Sequence, residues 1–163
     1  MSTPTNRASA MPLDGDAEQL EAMSPTTSGP AAHWRTLALE IGLILAGGVI
    51  GTLARVGVSL TLGHALDHGF PWDIAFINVS GALGIGLLAG WRDPHSRRHE
   101  LLWLAGAVGF MGAYTTFSSF ALGIVTLAIT GQTLLALLYA TGSTAAGLVA
   151  VEAGMALGKR LRC

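Results

Sequence analysis

Residues 109–120, GFMGAYTTFSSF, decide how this chain is read, because they set Gly109, Gly112, Thr115, Thr116, Ser118 and Ser119 in the middle of an apolar run. Glycine weakens an α-helix by about 1 kcal/mol against alanine, and Ser and Thr offer the backbone competing hydrogen bonds. A helix passing through this segment is therefore expected to break around Gly112 to Thr116. In water such a break means little, since solvent satisfies the freed groups. In hydrocarbon, non-helical backbone persists only where it is buried in protein or faces water, so a break becomes a polar site with free carbonyl oxygens suited to a cation.

The surroundings of the segment point to lipid. Of 163 residues 51% are hydrophobic and 12% charged, about half the charged share of a soluble domain. Residues 37–62, 74–91, 101–129 and 134–157 are nearly free of charge. Each is near or above the roughly 20 residues that cross a hydrocarbon core as a helix. The runs are continuously apolar and rich in Gly, Ala and Leu, unlike the alternating segments of about ten residues that build a β-barrel. The fold expected is an all-α membrane protein of four transmembrane helices, the third broken at its middle.

Before the first span, Pro4, Pro12, Pro25 and Pro30 stand among Ser, Thr, Ala and acids, which predicts a disordered polar tail over 1–32. Residues 33–158 form the transmembrane domain and 159–163 a short basic tail. The loop RDPHSRRHE, 92–100, contains the helix-stopping Pro94 and belongs in water or headgroups. Thr130-Gly131-Gln132 makes a tight turn between the last two spans. Gly47, Gly51, Gly81, Gly142 and Gly147 are positions where a neighbouring helix is able to approach closely, the packing that holds helices together in lipid.

With four spans, the amino tail, second loop and carboxyl tail share one membrane face. That face holds Arg7, Arg35, Arg92, Arg97, Arg98, Lys159, Arg160 and Arg162, while the loop over 63–73 and the turn at Gly131 hold no Lys or Arg. The positive-inside rule makes both termini cytoplasmic. Net charge is −1, which gives no argument for nucleic acid, and the lone Cys163 rules out an internal disulfide. His64 and His68 flank Asp67 at metal-ligand spacing, but further ligands are missing and a solvated loop is expected. No Ser, His and Asp grouping at membrane depth points to a hydrolase.

Inside the spans three polar features stand out. At helical spacing Phe117 and Phe120 share a face, with Thr116 one turn before Phe120. A phenyl edge is electropositive, so edge-on rings line a path for a small anion without trapping it; spacing alone leaves this and ordinary aromatic packing both open. Asn78 reads equally as an interhelical hydrogen bond or a donor to an ion. Arg55 lies inside the first helix, where an unpaired charge costs about 2.5 to 3.5 kcal/mol; it snorkels to the nearer interface or lines an anion-attracting vestibule.

The ordered set GGVIGTLAR (47–55), FINVSGALGIG (76–86) and GFMGAYTTFSSF (109–120) resembles the Fluc/CrcB family of bacterial fluoride channels over about residues 43–158. The most specific element is Gly112-x-x-Thr115-Thr116-Phe117-Ser118-x-Phe120. The resemblance implies an antiparallel dimer of four-helix subunits crossing at their broken third helices. It implies a structural Na⁺, not transported, held by backbone carbonyls of Gly112 and Thr115. Phe117 and Phe120 would flank the fluoride paths, with Asn78, Thr116 and Ser118 as donors and Tyr139 and Ser143 on a polar track of the fourth helix. The chain departs from the family pattern at Ala113, often Gly, and at Gly147, where another hydroxyl would extend that track.

These readings converge on passive export of fluoride from the cytoplasm through the cell (inner) membrane, without enzyme chemistry. The Lys/Arg bias sits awkwardly with self-pairing in opposite orientations, and makes a homologous subunit of opposite bias the expected partner. Two rivals are a small dual-topology exporter of cationic drugs, which requires a deep carboxylate in the first helix where Glu40 is shallow, and a scaffold subunit of a membrane complex.

Overall fold

The computed structural model describes residues 30–65 and 69–162, with helices α1 (Pro30–Ala65), α2 (Trp72–Trp91), α3 (Arg97–Trp103), α4 (Gly112–Tyr114), α5 (Phe117–Ile129) and α6 (Thr133–Leu161). A π-helical stretch, Leu104–Met111, joins α3 to α4. No strand occurs among the described residues. Four helical segments are long and apolar enough to cross a membrane, His33–Gly63, Trp72–Trp91, Arg97–Ile129 and Thr133–Leu161, matching the four expected runs. Most of the tail expected over 1–32, the side chains of His64, Asp67 and His68, and Cys163 lie outside the described residues.

Local sequence sets the element ends. Pro30 occupies the first helical position of α1, where its missing N–H costs nothing. Pro71 precedes α2 and Asp73 lies in its first turn, where a carboxylate suits the helix dipole. Gly131 takes φ 82°, and the Gln132 N–H donates to the Leu127 carbonyl at 2.9 Å while the Gly131 N–H donates to Ala128 at 3.1 Å. This Schellman motif ends α5 and lets α6 start at once.

Packing follows the logic of lipid, with small residues inside and large apolar ones outside. Leu45, Val49, Leu53, Leu122 and Leu148 are all exposed, whereas the buried set is Ile77, Ala107, Tyr114, Thr116, Leu127, Ala136, Tyr139 and a series of glycines. Between α2 and α6 two Gly-x-x-x-Gly pairs face each other. A Cβ added to Gly86 or Gly90 would strike the carbonyl oxygens of Val151 or Met155, and one added to Gly154 or Gly158 those of Leu83 or Leu87. A second close approach joins α1 to the third span, where a Cβ on Gly47, Gly51 or Gly109 would strike the carbonyl of Ala105, Phe110 or Ile44. Gly81 admits the methyl group of Thr115. Gly142 and Gly147 differ from expectation, since nothing lies within 4 Å of a Cβ placed there and both face outward in the subunit.

One end of the bundle is basic. Arg97 bridges Glu40 on α1 at 2.7 Å and Glu100 at 2.8 Å, Arg92 stacks over Trp103 at 5.1 Å, and Arg162 donates to the Arg92 carbonyl at 3.0 Å. These contacts bring the second loop, Glu40 and the end of α6 to the same side. The opposite end, with residues 69–73 and 130–132, carries Asp73 and no Lys or Arg among the described residues.

Candidate functional site

The third span stops being helical at two consecutive extended residues, Thr115 (φ −74°, ψ 155°) and Thr116 (φ −147°, ψ 119°). This is where the glycines and hydroxyls predict a break, and the π-helical stretch Leu104–Met111 leads into it. Asn78 of α2 closes the gap. Its Oδ1 accepts from the Thr116 N–H at 2.9 Å, and its Nδ2 donates to the Thr116 carbonyl at 3.0 Å. The side-chain amide thus imitates a neighbouring peptide, in the form two extended strands would use.

That substitution redirects backbone partners. In a continuous helix the Thr116 N–H would serve the Gly112 carbonyl, and the Ser119 N–H would serve that of Thr115. Here the first goes to Asn78 and the second to Thr116 Oγ1 at 3.3 Å, so Thr116 caps α5 with its own hydroxyl. The carbonyls of Gly112 and Thr115 lose their helical donors together. Thr115 returns its hydroxyl to the Met111 carbonyl at 2.9 Å. Thr116 is buried, and its hydroxyl also contacts those of Ser118 and Ser119, each at 3.2 Å.

The aromatic pair divides its roles. Phe117 is 80% exposed, whereas Phe120 is half-buried and packs on Tyr139 with ring centroids 5.2 Å apart. The two phenyl rings are 6.0 Å apart at 46°. An open pocket of about 280 Å³ is lined by Asn78, Ala82, Ile85, Thr115, Thr116, Phe117 and Phe120. Five residues picked from sequence therefore meet in one place. Ser118 joins them through Thr116, and Tyr139 stands behind Phe120, 1% exposed with a hydroxyl that has no hydrogen-bond partner among the described residues. Ser143 follows one turn later on α6, half-buried, and does not line the pocket. Gly112 opens onto a separate apolar groove between α1 and the third span, shared with Gly48, Gly109 and Ala113. Arg55 also stands apart, eight residues or about 12 Å before Gly63 on α1.

Two supports escaped the sequence reading. Ser80 Oγ and Tyr114 Oη are 3.1 Å apart, and Tyr114 stacks on Phe110 at 5.8 Å, bracing the turn just before the break. Ser80 and Gly81 follow Asn78 directly, which is the only hint the sequence offers. Among the described residues no cluster of three or more His, Cys, Asp or Glu side chains is placed to hold a metal ion.

A family model described as CrcB-like protein, Camphor Resistance (CrcB), matches residues 42–155, which include the break, Asn78 and the aromatic pair. The chain belongs to the CrcB family. Three relatives named fluoride-specific ion channel FluC agree with this. One from Hyphomonas neptunium is 38% identical over 122 residues, covering 73% of this chain and 94% of that protein. One from Paracoccus denitrificans is 39% identical over 115 residues, covering 71% and 90%. One from Acidobacterium capsulatum is 40% identical over 115 residues, covering 71% and 92%. With four spanning helices and relatives named as membrane channels, the CrcB chain is a multi-pass membrane protein of a non-enzymatic family.

Proposed function

We propose that this CrcB chain forms a fluoride-specific channel through which the ion leaves the cytoplasm passively, limiting its toxicity. The observation that carries the reading is the Asn78–Thr116 joint, which opens the third span and sets Phe117 and Phe120 at the mouth of a pocket floored by Thr115 and Thr116. Fluoride is small and strongly hydrated, so a path must replace water with donors and positive ring edges while keeping each site weak. Phe117 offers its exposed edge, and Asn78, Thr116 and Ser118 offer donors. The unpartnered Tyr139 hydroxyl and Ser143 continue a polar line along α6. Arg55, on the half of α1 nearer the end without other Lys or Arg among the described residues, would draw anions to a vestibule.

The released carbonyls of Gly112 and Thr115 fit a hard cation, and we assign them a structural Na⁺ that is not transported. Bound there it would supply positive potential that offsets part of an anion's desolvation. Two subunits would meet in opposite orientations to share it. Because Arg92, Arg97, Arg98, Lys159, Arg160 and Arg162 stand on α2's loop and α6's end, this chain inserts one way, with both termini cytoplasmic in the cell membrane. The partner that fits is a homologous subunit of opposite bias in preference to a second copy. The drug-exporter alternative loses support because Glu40 is tied to Arg97 at the helix end and is no deep carboxylate.

Liposomes carrying the purified chain and loaded with fluoride test the reading, with an electrode recording release on addition of a K⁺ ionophore. Fluoride but not chloride release is expected when the oppositely biased subunit is supplied. Its absence under that condition overturns the channel assignment, and robust release by this chain alone overturns the hetero-pair.

A further inference from the structure

We infer that the subunit carries a binding site for one anionic membrane phospholipid, with an acyl chain in the groove between α1, α2 and the third span and its phosphate at Arg98. The groove, of about 490 Å³, is lined by apolar residues alone, from Trp91 and Leu102 at the basic end to Ile50 and Phe110. On α1 the lining runs from Leu43 to Ile50, seven residues or about 10 Å along the axis, a large part of the roughly 15 Å that one leaflet of a hydrocarbon core measures. Small residues hollow it out, since Gly47 lets α1 and the third span touch at its floor, and a Cβ on Gly106 would come within 3.0 Å of Leu88 Cδ1.

Charge selects the occupant at the mouth. Arg98 lies one helical turn before Leu102, so it stands directly above the groove on the water side, and it is exposed with no ion-pair partner among the described residues. The acids nearby are already engaged. Glu40 and Glu100 both bind Arg97, and Asp93 Oδ1 accepts from the His95 N–H at 3.0 Å. Trp91, stacked on His99 at 4.2 Å, fixes an aromatic at headgroup level on the groove's rim. An apolar slot through a large part of one leaflet, topped by a free guanidinium, fits a lipid carrying a net negative phosphate better than a zwitterionic one.

The test uses the full chain purified in detergent with equal amounts of phosphatidylglycerol and phosphatidylcholine, and native mass spectrometry to count retained lipid. Phosphatidylglycerol is expected to exceed phosphatidylcholine about five-fold, the effect of one basic side chain at a membrane surface. Arg98→Gln, an exposed and fold-neutral change, should equalise the two. Arg160→Gln, at the same end but on α6, which gives no residue to the groove, should leave the preference intact. Gly106→Leu, which fills the slot, should lower retention of both lipids. An unchanged preference in Arg98→Gln overturns the site, as does full displacement by soluble glycerol 3-phosphate, which would mean the headgroup is held without the groove.

Discussion

The α2–α6 seam and the joint at Thr115–Thr116 solve the same problem in opposite ways. At the seam two helices come into backbone contact at Gly86, Gly90, Gly154 and Gly158, and both run on as unbroken α-helices through the contact. Dispersion does the holding, and only the absence of side chains makes it possible. At the joint a helix surrenders its internal bonds, and a side chain from α2 replaces them with matched geometry. A seam therefore tolerates no added atoms, whereas a joint tolerates no lost polar group.

The largest effect should come from adding atoms at the seam. Gly86→Leu forces the helices apart against the Val151 carbonyl and should cost about 3 kcal/mol of subunit stability, the upper end for overpacking a filled contact, read by unfolding in mixed micelles. Next is Asn78→Leu, which leaves the Thr116 N–H and carbonyl without that partner in low dielectric; about 2 kcal/mol is expected, with fluoride release abolished in the liposome assay. If release survived in this variant, the joint would not depend on the amide. Thr116→Val removes the hydroxyl that caps α5 and contacts Ser118 and Ser119, and should cost about 1 kcal/mol.

The aromatic pair sharpens the contrast further. Phe120→Leu gives up its packing on Tyr139 and should lose about 1 kcal/mol, while Phe117→Leu, at an exposed position, should leave stability unchanged and slow fluoride release. Smallest of all, Gly142→Ala meets nothing within 4 Å and should shift unfolding by under about 0.5 kcal/mol. A cost as large as at Gly86 would place that face of α6 against another chain.

The spans were legible because charge is absent from long runs, a one-dimensional property that lipid imposes on any sequence. The break was legible for a related reason, since Gly and hydroxyl side chains weaken helices wherever they stand. What stayed hidden depends on register between helices. Nothing in one sequence says that Asn78 meets Thr116 and not a neighbour one turn away, or that Gly86 and Gly154 face each other while Gly142 and Gly147 look outward. Tyr114 gives no signal of its role in the sequence, because that role lies in reaching Ser80 on another span. The division between Phe117 and Phe120 likewise required Tyr139, which lies on another span.

Asn78 and Gly86 belong to the same rigid rod, eight residues or about 12 Å apart. The rod is bolted to α6 at one end and grips the unwound strand of the third span at the other. A tilt of α6 would therefore move Asn78, and with it the Thr116 peptide that the amide holds by both its N–H and its carbonyl.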